Sequence, residues 1–413
     1  MKVLMFGWEF PPFYAGGLGI ACLGLTKGLS RKNVSVTFVV PHGPKGMHSD
    51  FAKLLVANNL ITDNVNLTIK GINTLLTPYM TAQQYEHTYK DFMLKEGEGN
   101  PNAALYGRNM FQEVFRFAQK ASLIALLEDF DVIHCHDWMT YPAGIRAKQL
   151  TGKPLVVHIH NTVFDRSGGV GNPEEYKIEK EGFEKADRII AVSNWTKQMV
   201  MHHYGIPEGK IEVVHNGIEF NKEAPADFKI DKNDKVVLFL GRITLQKGPD
   251  YFIEAARKIV QIDPNIKFII VGSGDMEAKM IERVAGYGLS KNILFAGFLT
   301  GKDIDQAYRM ADVFVMPSVS EPFGLTPLEA MRNNTPVIVS KQSGVSEVLT
   351  HALKVDFWDI DEMANKILSV LRYEALHNAL KEHGAWEVRN FSWDVPAQKC
   401  LQVYEQVIGK VSS

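Results

Sequence analysis

The sequence predicts an α/β protein made of two doubly wound parallel-sheet domains, on three observations. Short apolar, β-branched runs alternate with stretches of helical periodicity along nearly the whole chain, the pattern of a parallel sheet covered on both faces. A polar, strand-poor segment from Asn221 to Asp234 interrupts the alternation, which then restarts. At 413 residues the chain is too long for one ordinary core, and length alone suggests about two to three domains.

In the first half the buried-strand candidates are residues 3–6, 34–40, 132–135, 155–160, 189–192 and 211–214. Each is an apolar run of strand length bounded by polar or turn residues. The second half supplies 236–240, 268–271, 293–295, 313–316 and 337–339. Residues 79–109 break the rhythm. They are rich in Gln, Glu, Gly and Tyr around Gly97-Glu98-Gly99-Asn100-Pro101, and read as an excursion near a cleft or as a solvated loop. The expected organisation is a first domain over 1–221, a linker over 222–234, a second domain over 235–392, and a C-terminal helix over 393–413 that packs back on the first domain.

The net charge is −2 and neither sign forms a long run, so nothing suggests a nucleic-acid surface. Cys22, Cys135 and Cys400 are few, odd in number and widely spaced, which argues against a disulfide framework and for a reducing compartment. Residues 2–7 are apolar but meet Glu9 at once and lack a small-residue cleavage pattern. No segment approaches the length of a membrane span. The expectation is a soluble cytoplasmic protein, with its oligomeric state left open.

Two motifs carry the chemistry. Gly241-Arg242-Ile243-Thr244-Leu245-Gln246-Lys247-Gly248 follows the strand candidate 236–240, at the end of a strand where open α/β sheets bind ligands. There Arg242 and Lys247 can both face a diphosphate. Glu321-Pro322-Phe323-Gly324-Leu325-Thr326-Pro327-Leu328-Glu329 follows the candidate 313–316, and Gly324 is expected to open a helical stretch whose free N–H groups favour an anion. If that stretch is largely helical, Glu321 and Glu329 stand roughly two turns apart, one meeting a sugar and the other a nucleoside. Together the motifs describe a site for a sugar nucleotide.

With Phe10-Pro11-Pro12, Gly16-Gly17-Leu18, His136-Asp137-Trp138, His158-Ile159-His160-Asn161, Ala191-Val192-Ser193 and Val214-His215-Asn216-Gly217-Ile218, these motifs occur in an order that resembles the retaining family-four glycosyltransferases of the GT-B architecture, leaning toward glycogen and starch synthases. The resemblance spans nearly the whole chain. It implies two Rossmann-like domains facing an inter-domain cleft, with donor nucleotide mainly on the second domain and acceptor on the first. It also implies a hexose, glucose first, passing from an ADP- or UDP-sugar to a saccharide such as an α-glucan, without cofactor or metal; the alternative is a family-four transferase using another sugar or acceptor (mannosyl, polysaccharide or glycolipid). The chain departs from the bacterial starch-type pattern at Tyr14, where those enzymes carry a lysine, and at Glu329, where they usually lack an acid.

Arg242 and Lys247 would neutralise the diphosphate and then the charge that grows on the leaving group; the bland alternative is a solvated turn. Glu321 lies beside the backbone donors of Phe323, Gly324 and Leu325 and could contact sugar hydroxyls, while Thr326 meets a phosphate. The resemblance gives Glu329 the ribose hydroxyls; otherwise it is an exposed acid in a first helical turn. His160 ends a strand, and the resemblance places its imidazole against the sugar. Asp137 and Trp138 could bond and stack on a sugar, although Trp138 also suits a core. Asn216 is first a turn residue, and only the resemblance makes it a sugar contact. Gly16 and Gly17 would let backbone approach a phosphate or sugar, or simply admit a helix.

A rival chemistry uses the histidines. His134-x-His136 and His158-x-His160 put paired imidazoles on common strand faces, a set a metallohydrolase could employ. That reading leaves both second-half motifs without a task. An epimerase, a phosphorylase or a non-catalytic glucan-binding relative would use a similar cleft, but no lysine site for pyridoxal phosphate is recognisable.

Overall fold

The computed structural model describes residues 1–11, 16–40, 53–56, 67–71, 82–96, 109–220 and 234–411. Among these, eight strands form the first sheet: β1 (Lys2–Phe6), β2 (Ser35–Val40), β3 (Lys53–Val56), β4 (Leu67–Gly71), β5 (Val132–His136), β6 (Leu155–Ile159), β7 (Arg188–Ala191) and β8 (Ile211–Val213). Their order is β3-β4-β2-β1-β5-β6-β7-β8. All pairings are parallel except β3 with β4. Six strands form the second sheet: β9 (Val236–Leu240), β10 (Lys267–Val271), β11 (Ile293–Gly297), β12 (Val313–Met316), β13 (Val337–Ser340) and β14 (Leu353–Val355). It is parallel throughout, in the order β11-β10-β9-β12-β13-β14. The two-domain doubly wound architecture is therefore as the sequence predicts.

Alternation along each strand divides its side chains between two helix layers. On β1, Leu4 and Phe6 enter one core, whereas Val3 and Met5 enter the other. On β9, Val237 and Phe239 separate in the same way from Val236 and Leu238. Three strands escaped the sequence reading: β3, β4 and β14, with four, five and three residues. Segments so short, with lysines inside them, carry too little apolar pattern to register.

Residues 79–109 need a correction. Ala82–Glu96 is a helix, not a loop; Tyr85 is fully buried on it and stacks at 6.4 Å on Tyr89, the i,i+4 spacing of one helical face. The Gly97–Pro101 stretch, Pro12, Tyr14, Asn221 and residues 222–233 of the linker lie outside the described residues.

The chain crosses between the domains beside itself, at 214–218 and 391–393, where Ile218 N–H donates to the Phe391 carbonyl at 2.7 Å. The last helix, Asp394–Val411, then packs on the helix Gly17–Ser30 of the first domain. Gly24 permits the approach: a Cβ there would stand 2.1 Å from the Trp393 ring. Among the described residues no helix is long and apolar enough to cross a membrane, and Cys22, Cys135 and Cys400 are buried free thiols.

Candidate functional site

In the second sheet the chain leaves β9 toward β10 on one side and later enters β12 on the other. The loops after β9 and β12 therefore diverge and leave a crevice at the carboxyl ends of these neighbouring strands. A small pocket opens there, with Gly241, Lys247, Ser318, Glu321 and Thr326 among its walls. Lys247 Nζ lies 2.5 Å from Glu321 Oε2, and Ser318 Oγ donates to the same oxygen at 3.2 Å. Arg242 Nη2 donates to Gln246 Oε1 at 3.4 Å. The loop after β10 supports this turn so closely that a Cβ at Gly272, where φ is +131°, would stand 1.9 Å from the Gly241 carbonyl oxygen; only glycine fits.

The segment after β12 departs from expectation. Gly324 does not open the helix. It turns the chain at φ +101°, and the helix Thr326–Arg332 begins two residues later. Upstream, Glu321 bridges to Ser343, held by Glu321 N–H to the Gln342 carbonyl at 2.9 Å and Val345 N–H to the Phe323 carbonyl at 2.7 Å. Glu321 and Glu329 are thus not two helical turns apart, because backbone pairing with 342–345 keeps the first three residues extended. Glu321 lines the pocket, while Glu329 accepts the Tyr308 hydroxyl at 3.0 Å, and burial raises its pKa. Phe323 is buried, its ring 6.0 Å from His215. Among the described residues, no protein acceptor takes the Phe323 or Gly324 N–H. Leu325 is half-buried just before the helix, and its carbonyl accepts Glu329 N–H at 3.0 Å.

The first sheet reverses its strand order between β1 and β5. Directly after β5, Asp137 adopts φ 60° and ψ 167°, a region nearly reserved for glycine and costing about 1–3 kcal/mol. Its Oδ1 accepts His160 N–H at 2.7 Å and Asn161 N–H at 3.3 Å, so the carboxyl braces the end of β6. Burial pushes this acid up to about 7, against the pull of the His160 amide and Arg166. His160 is half-buried, and burial holds its imidazole down at about 3.

Across the crevice, the Asn161 and Gln246 side-chain amides exchange hydrogen bonds of 3.4 and 3.3 Å, and Ser320 Oγ donates to Asp165 Oδ1. These contacts join the His160 strand end to the loops carrying Arg242, Lys247 and Glu321. Glu347 reinforces the junction from the second domain. It accepts Asn194 N–H at 2.9 Å and Trp195 N–H at 2.5 Å, capping the helix Asn194–Tyr204 of the first, a favourable place for a carboxylate.

Trp138 needs a correction. It is 5% exposed in the first core, with Phe111 at 6.0 Å and Arg166 over its ring at 6.0 Å; the 3-10 turn Trp138–Thr140 carries the ring inward rather than offering it to a sugar. Gly16 and Gly19 donate their N–H groups to Glu9 Oε2 at 2.9 and 3.2 Å, so a buried carboxylate sits at this helix entry. A Cβ at Gly17 meets nothing within 4 Å, so packing within the described protein does not demand glycine there. Asn216 is buried on the crossing segment and is not part of the pocket wall.

Sequence reasoning missed Gln246, Glu9, Ser320, Asp165 and Glu347. Gln246 sits inside a motif read only for its two cations. Ser320, Asp165 and Glu347 bond to partners distant in sequence, and Glu9 reaches amides seven and ten residues on; no local pattern marks them.

His134, His136 and His158 bring ring nitrogens within 4.8 Å of one another. The His134 and His136 rings stack at 4.3 Å with planes 21° apart. Both His134 nitrogens are occupied, by the Tyr404 hydroxyl at 2.5 Å and His158 Nδ1 at 3.3 Å.

Two family models match. The one described as glycosyltransferase family 4 covers residues 15–222, and the one described as glycosyl transferases group 1 covers 220–385. An uncharacterized glycosyltransferase of Methanocaldococcus jannaschii is 31% identical over 98% of each chain. A D-inositol 3-phosphate glycosyltransferase of Rhodococcus opacus is 27% identical over 67% of each. Among solved structures, sucrose-phosphate synthase from Thermosynechococcus elongatus has the same fold, with a TM-score of 0.75 at 20% identity over 99% of both chains.

Proposed function

The chain belongs to the group 1 and family 4 glycosyltransferases of GT-B architecture, and from that premise we propose that it is a retaining hexosyltransferase taking its sugar from an ADP- or UDP-sugar. The observation that carries this reading is the pairing of Lys247 with Glu321 at the β9/β12 crevice, with Arg242 bonded to Gln246, which in turn bonds Asn161 beside the His160 strand end. A diphosphate entering the pocket would compete with Glu321 for Lys247. Lys247 and Arg242 then neutralise the leaving group as its bond to the sugar breaks, and the freed Glu321 turns to sugar hydroxyls. The N–H groups of Phe323, Gly324 and Leu325 and the Thr326 hydroxyl serve the phosphates and sugar. Glu329 takes the ribose, and Gly16, Gly17 and Asn216 complete the donor contacts.

No side chain is required as a nucleophile. A phosphate oxygen of the leaving group takes the acceptor's proton on the face of attack, while the protein contributes positioning and charge. The built-in cations make a divalent metal unnecessary for holding the diphosphate. Asp137 acts through the backbone it braces, as the sugar-side support of His160.

The acceptor we propose is a saccharide, with α-glucan elongation as the first case. A second reading is a small phosphorylated acceptor, favoured by the Rhodococcus relative's name. One screen discriminates them: nucleotide sugars offered with maltooligosaccharides or with sugar and inositol phosphates, read by released nucleotide and product linkage. Absence of nucleotide release with every donor, at micromolar enzyme, would reject the proposed function.

A further inference from the structure

Four histidines form a ladder on one face of β5 and β6, between the sheet and the last helix. Alternation puts His134 and His136 on the same side of β5 and His158 and His160 on the same side of β6. The β5/β6 register sets His134 opposite Val156 and His136 opposite His158. Two hydrogen bonds link the strands, His136 Nδ1 to His160 Nε2 at 3.0 Å and His134 Nε2 to His158 Nδ1 at 3.3 Å. A third ties His134 Nδ1 to the hydroxyl of Tyr404 on the helix Asp394–Val411. His134 and His136 are fully buried and His158 is 2% exposed; only His160 reaches the crevice. Burial keeps the set neutral, holding His134 and His160 at about 3 and His136 and His158 well below the ordinary histidine range.

A neutral imidazole has one N–H and one lone pair, and the hydrogen-bond partners decide which nitrogen carries which. Here two atoms make the choice. Among the described residues, no protein group meets the buried Nε2 of His136 or the buried Nε2 of His158. Leaving a lone pair bare in an apolar layer is less unfavourable than leaving an N–H bare, and orphaned buried N–H groups are correspondingly the rarer kind. The proton of His136 therefore sits on Nδ1 and is donated to His160 Nε2. That lone pair being taken, the proton of His160 must sit on its Nδ1. The same reasoning runs through the other branch: His158 donates from Nδ1 to His134 Nε2, and His134 donates from Nδ1 to Tyr404.

We infer that His136 is a positioning residue that locks His160 in the Nδ1–H tautomer, so that His160 meets the transferred sugar as a hydrogen-bond donor and has no lone pair left to act as a base. This deepens the proposed function and rests on it for the identity of the ligand; the tautomer itself does not. It also accounts for a mechanism in which the acceptor's proton goes to the leaving phosphate, since the one histidine at the strand end cannot take it.

The test uses the full chain with ¹⁵N-labelled histidine and long-range proton–nitrogen correlation in the absence of substrate. His160 is expected to show a protonated Nδ1 and an unprotonated Nε2; the opposite assignment overturns the inference. In His136→Phe the His160 signals should become a tautomer mixture and kcat should fall about tenfold or more, the loss of about one oriented hydrogen bond, with donor KM little changed. His136→Asn, whose amide can reach the Nδ1 position, should recover the tautomer and most of the lost turnover. A fall in kcat with the tautomer intact would make the role of His136 structural and overturn the inference. So would an unchanged tautomer and kcat in His136→Phe. Should His136→Phe fail to fold by circular dichroism, the wild-type assignment and His136→Asn still decide. If no nucleotide sugar is consumed by the wild type, the proposed function falls while the tautomer measurement still decides the ladder.

Discussion

Lys247 Nζ and Glu321 Oε2 stand 2.5 Å apart, so the cation proposed for the diphosphate is already paired with the carboxylate proposed for the sugar. With 23% and 9% of the side chains exposed, the pair is largely withdrawn from water, and each charge compensates the other.

Lys247→Ala should therefore have two separable effects. Turnover should drop by about 10²–10³, as for a lost oxyanion-type donor, and Arg242→Ala should act similarly. The fold should also lose about 1–2 kcal/mol, because Glu321 is left with Ser318 alone. Denaturant melts and saturating-donor kinetics read both. Near-wild-type kcat in Arg242→Ala would remove that residue from the mechanism.

Acid should unfold this protein early. His134, His136 and His158 have folded pKa values below the ordinary histidine value because burial disfavours their charged forms. Their neutral state supports the fold fully above about pH 6.5, and that support is lost as pH falls from there toward the folded values near 3 for His134. Three such groups give a slope of about 4 kcal/mol per pH unit below the unfolded pKa. Denaturant melts from pH 7.5 to 5 should show uptake of about three protons on unfolding from this set; a flat profile would contradict a neutral buried ladder.

Asp137 has the opposite sign. Its folded pKa, raised to about 7 by burial, means that its contribution is greatest below the unfolded pKa of about 4 and is lost as pH rises through 7. Asp137→Asn keeps an acceptor oxygen for the His160 and Asn161 amides and cannot ionise. The variant should gain stability relative to wild type at pH 8 and show no such gain at pH 4.5, as comparative melts at the two pH values would reveal.

Activity should persist in excess chelator, since the diphosphate meets Arg242 and Lys247 rather than a borrowed divalent ion. Loss of turnover restored by zinc would return the histidines to consideration as ligands. Restoration by magnesium alone would require a metal bridge to the phosphates.

An α-linked nucleotide sugar should give an α-linked product, read by NMR at the new anomeric centre. Glu321→Gln should reduce turnover yet retain part of it, because an amide keeps hydrogen bonding but loses the charge facing an oxocarbenium-like state. No covalent glycosyl-enzyme should accumulate. A β-linked product would sink the retaining assignment.

The sequence by itself determined where most strands lie, that two domains follow one another, and which loops carry charge, because β-branched runs and strand-end motifs act over a few residues. It misjudged what depends on distant partners. Trp138 beside Asp137 looked available to a sugar, and only the packing of Phe111 and Arg166 makes it core. Glu321 and Glu329 were expected about two helical turns apart, but pairing with 342–345 holds the first of them extended. Strand order alone brings Lys247 to Glu321 across 74 residues, and the last helix alone brings Tyr404 to His134 across 270. Local periodicity specifies elements. The meeting of their ends is decided by sheet order and helix packing, whose energies arise only between segments far apart in the chain.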